Sequence, residues 1–352
     1  MDGAAEILAD MGIEKFDVIQ IAQTGGSGPK VVIISANGYM YALKFGKTRI
    51  PISDQLKNRG ILVDLIGESR LPKVMQFKRY PDGSEAMLIT APSRNTLHDV
   101  VTLDNMGIGE KEILRTVDDI VSRFIVMWKQ TILPYKDNVC TRPLIFRNER
   151  IFNFLDQLVI NSLPFSELKG RNIIVNKKNL GNISDLIQVA NQDNSPKYMV
   201  TCHADPNADN ILISPTLNSK STCYWWLIDY EWVGQISWIL SASHFLGWWI
   251  SNASRLKSRL ETNITPESLE FSYEVYRSEL MNNIITRCAR KIARFAKQIK
   301  EPDGWDLKLR RMVALLILGD VRFAGARSRE AYTHYLIAEG FQLLSEVKEK
   351  TT

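Results

Sequence analysis

The 352-residue chain is poor in the side chains that build metal clusters and disulfide frameworks, with four cysteines (Cys140, Cys202, Cys223, Cys288) and four histidines. No two cysteines are close in sequence, none has metal-ligand spacing, and the histidines add no His-x₃-His pair. A disulfide framework is therefore not expected, and a reducing compartment is. No window approaches the roughly 18 consecutive apolar residues of a membrane span. The opening MDGAAEILADMG lacks the basic and apolar regions of a signal peptide, so the chain reads as cytosolic. Low-complexity tracts and internal repeats are absent too. The formal net charge of +5 suits an anionic ligand but is far below that of a dedicated nucleic-acid binder.

What the chain does have is length for two cores, with an ordinary 45% of hydrophobic residues to fill them. After a short helical extension at 1–13, three β-rich runs follow, Phe16–Ala22, Lys30–Ser35 and Tyr39–Phe45. The second and third flank Ala36-Asn37-Gly38, and Asn-Gly between apolar runs is a strong hairpin signal. Ser53 is placed to cap a helix bearing Leu56, Leu62, Leu65 and Ile66. Two further strand-like runs, Lys73–Arg79 and Ala86–Thr90, flank the turn Tyr80-Pro81-Asp82-Gly83. Residues 14–91 thus read as a five-stranded antiparallel sheet with one helix, and 92–96 as a hinge. Beyond it Ile113, Leu114, Val117, Ile120, Val121, Phe124 and Trp128 recur at helical spacing. Helical patterns also cover 147–162, 182–192, 239–252, 268–300 and 310–348, and only 198–229 is strand-like. The expected architecture is α+β: a small β-rich lobe, then a larger helical lobe over 97–352 that carries one β-hairpin.

Three polar features fall in order on this frame. Thr24, Gly25, Gly26, Ser27 and Gly28 join two strands, and clustered glycines let backbone N–H groups approach phosphate oxygens; a simple turn is the plainer alternative. Lys44 ends the apolar run Tyr41-Ala42-Leu43, either as a solvated edge residue or, beneath the Gly-rich turn, as a partner of nucleotide phosphates. Last comes TCHADPNADNILI at 201–213, followed by CYWWLIDYEW at 223–232. Residues 211–228 suffice for two short strands and a connection, which returns Asp229 close to Asn210 as two oxygen ligands for Mg²⁺. Asp205 is then available to a substrate hydroxyl.

YALKF, HADPNADN and LIDYE together resemble motifs of the protein-kinase-like fold, and within it those of the aminoglycoside phosphotransferase and choline kinase group of small-molecule kinases. The likeness of layout spans roughly residues 14–250. It implies ATP or GTP as donor, with Asp205 accepting the hydroxyl proton or orienting the hydroxyl. Asn210 and Asp229 would hold Mg²⁺, and Lys44 would neutralise the α/β-phosphates. His203 would be structural, Thr24–Gly28 would cover the triphosphate, and Glu231 would order the site or touch metal or substrate. Three departures stand out: Ala204 replaces the usual glycine, the helix at 53–67 offers no glutamate to pair with Lys44, and no aspartate follows Glu231 in VGQISWILSAS.

Two readings remain at this stage: a small-molecule kinase, and a silent nucleotide-binding pseudokinase acting as an interaction module. A protein kinase fits poorly, because an apolar helical run begins within about eight residues of Asp229 and leaves no room for a peptide-binding segment. The acceptor would be a sugar, amino alcohol, nucleoside or aminoglycoside-like molecule. Trp225, Trp226, Trp232, Trp238, Trp248 and Trp249 either line its pocket or fill the core. Residues 287–300 carry six basic side chains and no acidic one; if this face borders the acceptor, it disfavours polycations.

Overall fold

The computed structural model describes residues 3–22, 29–48, 50–102, 107–139, 145–215, 223–252, 255–256, 259–326 and 330–351. They fall into two compact units, Met1–Thr116 with Asp209–Val233, and Val117–Ala208 with Gly234–Thr352.

The first unit is built on a five-stranded antiparallel sheet. Its spatial order is Asp17–Ala22, Lys30–Ala36, Tyr39–Gly46, Glu85–Thr90 and Val74–Arg79. Asn37 and Gly38 turn the second hairpin with φ of 52° and 79°, the left-handed pair that this tight connection demands. One face of the sheet buries Val32, Ile34, Leu43 and Leu88 against Leu8 and Met11, which helix α1 (Ala4–Asp10) and its end supply.

Helix α2 (Ile52–Ile66) begins after Pro51, which makes no side-chain cap. Ser53 is not the cap expected of it. Instead its N–H and hydroxyl both donate to the Glu85 carboxylate at 2.9 Å. A buried carboxylate from the neighbouring strand thus meets the orphan donors and positive end of the helix.

The expected hairpin is formed by Ile211–Ser214 and Tyr224–Leu227, and Asn95–Thr96 adds a third strand to it. It belongs to the first unit rather than to the helical part, because its ties run there. Ser93 donates its hydroxyl to the Ile213 carbonyl, the Cys223 N–H donates to Thr116, and Arg70 lies 4.7 Å over the Trp225 ring. Helix α3 (Leu97–Thr102) completes this unit.

The second unit is mainly helical: most of α4 (Glu110–Thr131), then α5 (Ile145–Leu155), α6 (Phe165–Leu168), α7 (Ile183–Ala190), α8 (Trp238–Asn252), α9 (Glu279–Gln298), α10 (Trp305–Ala326) and α11 (Glu330–Thr351). The helical pattern over 268–300 overshoots. Ser268–Ser272 is a strand parallel to Asn172–Val175, and α9 starts only at Glu279, where Ser278 accepts from the Met281 N–H. Leu269 and Phe271 alternate into the core with a period of two, between the parallel strand about a hundred residues upstream and the antiparallel strand Glu261–Ile264. Helices α10 and α11 divide the pattern at 310–348 and approach closely at Gly340.

The turn at 191–197 feeds the strand Tyr198–His203 and is fixed from the segment after α9 and from α10. Glu301 accepts the Lys197 N–H at 2.6 Å and the Trp238 indole N–H at 3.0 Å. Buried Arg311 donates to Asn194, Gln192 and the Asp193 carbonyl at 2.7–2.9 Å. Among the described residues no helix is long and apolar enough to cross a membrane. Among the described residues Cys202, Cys223 and Cys288 are buried thiols outside any disulfide, and Cys140 lies outside the described residues.

Two stability predictions follow from these contacts. Burial raises the Glu85 pKa, but donors from Ser53 and Arg79 outweigh it and leave the carboxyl below its ordinary value. A depressed folded pKa stabilises above the unfolded value and loses that contribution as pH falls through the folded one. Glu85→Gln should therefore lower stability at pH 7 by about 1–2 kcal/mol, and the gap to wild type should shrink below about pH 4, as read by denaturant melts across pH. At Gly340 an added Cβ would lie 2.5 Å from Leu318 Cγ, a buried side chain. Overpacking of about 1–3 kcal/mol outweighs the gain of up to about 1 kcal/mol from replacing a helical glycine. Gly340→Ala should lower the melting temperature.

Candidate active site

Lys44 lies on the third of the five strands, so the edge-residue alternative is excluded. Its side chain is 12% exposed, and its ammonium donates to Asp229 Oδ1 at 3.0 Å and to Glu231 Oε1 at 3.3 Å. The lysine lacks a glutamate on the helix, and the far end of the polar motif supplies two carboxylates instead. Helix α2 still takes part. Gln55, 1% exposed, directs its amide N–H to Glu231 Oε1 at 3.4 Å, and Asn58 donates to the Tyr230 carbonyl at 2.8 Å.

Asp229 has φ 63° and ψ 72°, a left-handed conformation that aspartate tolerates better than most residues. The turn follows directly on the strand Tyr224–Leu227, and Asn210 directly precedes its partner strand Ile211–Ser214. The Ile228 N–H donates to the Asn210 carbonyl at 2.9 Å, so both residues stand at the open end of one hairpin, as the spacing of the two motifs requires. Tyr230, between the two carboxylates in sequence, is buried; desolvation pushes its phenol well above the ordinary value, and its hydroxyl donates to the Leu227 carbonyl.

These donors suit a hard divalent cation held jointly with phosphates. Among the described residues no group of three or more His, Cys, Asp and Glu forms a metal cage. Mg²⁺ usually takes one or two protein carboxylates and fills its sphere from phosphate and water. Asp229, Glu231 and Lys44 sum to one negative charge; one divalent cation would turn this to one positive charge, complementary to a polyphosphate.

In the second unit, His203 ends the strand Tyr198–His203 and is 1% exposed. Its Nδ1 accepts the Asp205 N–H at 3.2 Å, so a neutral ring carries its proton on Nε2. Ala204 is fully buried and has no positive φ, which is why alanine serves in the glycine position. Asp205 Oδ1 accepts from Asn207 Nδ2 at 3.2 Å and lies 3.1 Å from His244 Nδ1 on α8. His244 was not singled out from sequence, yet it is the only titratable side chain in WILSASHFLGWWISN. Gln55 left a similar trace, a polar residue in register with the buried Ile52, Leu62 and Ile66 of α2.

Thr24, Gly25, Gly26, Ser27 and Gly28 lie outside the described residues. Of the clustered tryptophans, Trp225, Trp238, Trp248 and Trp249 are core residues, and only Trp226 and Trp232 are partly exposed. On α9 the stripe Cys288, Ile292 and Phe295 is buried, Arg287 and Lys291 engage Asp118, and Arg290, Arg294 and Lys297 are exposed. Burial pushes the Cys223 thiol up to about 11, so it is no nucleophile at neutral pH.

By sequence, no family model and no curated protein matches the chain. Solved structures do. A putative aminoglycoside phosphotransferase from Ralstonia eutropha JMP134 has a TM-score of 0.55 and 12% identity over 98% of this chain and 97% of its own. A thermostable mutant of aminoglycoside phosphotransferase APH(4)-Ia, in ternary complex with ADP and hygromycin B, has a TM-score of 0.52 and 12% identity over 99% of both chains. The GDP complex of aminoglycoside 2'-phosphotransferase-IIIa has a TM-score of 0.52 and 12% identity over 99% and 98%. Near-complete coverage at such low identity is a statement about backbone architecture: this chain has the fold of the aminoglycoside phosphotransferases.

Proposed function

We propose that the chain is a small-molecule kinase that transfers the γ-phosphoryl group of ATP or GTP to a hydroxyl of a small acceptor, with Mg²⁺ as the metal. The observation that carries this reading is the contact of Lys44 with Asp229 and Glu231, an ammonium and two carboxylates of the kind that polyphosphate and a cation require, assembled from residues up to 187 positions apart. Structures of the same fold hold ADP with hygromycin B in one case and GDP in another, which supports a nucleotide as donor.

In this reading the acceptor oxygen forms a bond to the γ-phosphorus while the bond from that phosphorus to the β–γ bridging oxygen breaks. The hydroxyl proton passes to the Asp205 carboxylate, and a nucleoside diphosphate leaves. Asn210 and Asp229 would hold the metal, which would supply neutralisation of phosphate charge; Lys44 pairs with the α/β-phosphates, and Glu231 keeps that lysine in place. His203 secures the loop, and Thr24–Gly28 would cover the phosphates. Such transfer depends chiefly on positioning and charge neutralisation, which this set supplies without a nucleophilic side chain.

A small acceptor is favoured over a peptide because Tyr230–Trp232 and Val233–Ser237 lead directly into α8 at Trp238. If the exposed cations of α9 border the acceptor, they favour a neutral or anionic one over a polycationic aminoglycoside.

The test is consumption of ATP and GTP against sugars, amino alcohols, nucleosides and aminoglycosides. At least one class should be phosphorylated. Asp205→Asn should lower kcat by about 10²–10⁴-fold, and Lys44→Met should lower kcat/KM for nucleotide by about 10²-fold. Nucleotide binding without turnover on any hydroxyl class would favour the silent interaction module instead.

A further inference from the structure

The second unit meets the Asp205 loop with a helix that contains no acid. Helix α8, WILSASHFLGWWISN, follows Glu231 where aminoglycoside phosphotransferase-like sequences tend to place an aspartate, and it has neither Asp nor Glu. Two of its side chains, one helical turn apart on the same face, engage the segment that carries Asp205. Buried Ser241 accepts the Cys202 thiol at 3.3 Å, and His244 Nδ1 lies 3.1 Å from Asp205 Oδ1. The two contacts step in register, three residues along the helix for three along the strand and loop.

The helix is firmly seated. Phe245 packs edge-on to Phe124 and Trp249, with centroids at 6.1 and 6.2 Å, and the Trp238 indole is hydrogen-bonded to Glu301. His244 itself is 10% exposed. With Asp205 as a carboxylate, which is the form a base requires, the histidine is the donor in this pair and carries hydrogen on Nδ1. Asn207 donates to the same oxygen at 3.2 Å. Two donors on Oδ1 fix the plane and rotamer of the carboxylate.

We propose that His244 is the positioning residue of the base: its Nδ1–H holds Asp205 Oδ1, so that the carboxylate presents a fixed face to the incoming hydroxyl. The proposal rests on the kinase reading above and extends it to a residue outside the loop. His244 makes no bond in the transfer and takes no proton from the acceptor; it acts only through Asp205. Loss of the contact therefore lowers kcat and leaves nucleotide binding intact, whereas a collapsed fold would lower both.

The experiment pairs kinetics with histidine nitrogen NMR on the full chain. With the best acceptor, or water if none is better, His244→Phe should lower kcat by about 10–100-fold, as for loss of a hydrogen bond to a charged group. The KM for nucleotide should stay within about two-fold on the same reasoning. His244→Asn, which returns a donor near Nδ1, should keep kcat within about three-fold, and His244→Gln should not. In the Asp205→Asn background His244→Phe should cause no further loss, because the residues act as one unit. Equal losses in both backgrounds, a change confined to KM, or full activity of His244→Phe would overturn the proposal. The four histidines are few enough to assign singly. His244 should show a protonated Nδ1 that Asp205→Ala shifts, and a bare Nδ1 overturns the pairing even with no turnover at all. Indifference of turnover to Asp205→Asn would instead overturn the kinase reading, and a wild-type chain that consumes no nucleotide overturns both.

Discussion

A single ammonium group organises the first unit. Lys44 stands on the middle strand of the sheet and meets two carboxylates that follow the hairpin strand Tyr224–Leu227 in sequence. Each side of that contact constrains other elements. The lysine is held by strands on both flanks, and the carboxylates are held by the left-handed turn at Asp229 and by the amides of α2. Two like charges this close repel unless a cation lies between them, so the ion pair makes the arrangement stable without a ligand. Exchange of that cation's partners for phosphate and a divalent ion is the electrostatic basis of the proposed chemistry.

Asp205 is held by different means. It depends on a strand whose entry is clamped by Glu301 and Arg311, and on a buried helix that touches both Cys202 and Asp205. None of these supports is a charged pair with the loop's own neighbours in sequence. They come from α8, α10 and the segment after α9, so the loop's geometry is a property of the helical core.

Local features of this architecture were legible in the sequence, and distant pairings were not. Asn37-Gly38 forced a hairpin because few residues accept two consecutive positive φ angles, and HADPNADN with LIDYE marked both ends of a second one. The five strands and α2 were readable from β-rich runs, turn residues and the apolar positions of the helix. The identity of the lysine's partners was not, because Glu231 lies 187 residues from Lys44 and the LIDYE motif marks the acid without saying which cation it meets. The Glu85 cap on α2 and the His244 contact escaped for the same reason. The strand Ser268–Ser272 was lost in a helical pattern that ran over 268–300, although it pairs antiparallel with the nearby Glu261–Ile264 as well as parallel with the distant Asn172–Val175.

The backbone at Asp229 has an evolutionary consequence. Its left-handed turn admits asparagine or glycine nearly as well as aspartate, so an exchange there removes the carboxylate that meets Lys44 while the turn keeps its backbone conformation. In the proposed reading, a lineage would lose the chemistry of this position by a single amide with the backbone of the turn unstrained.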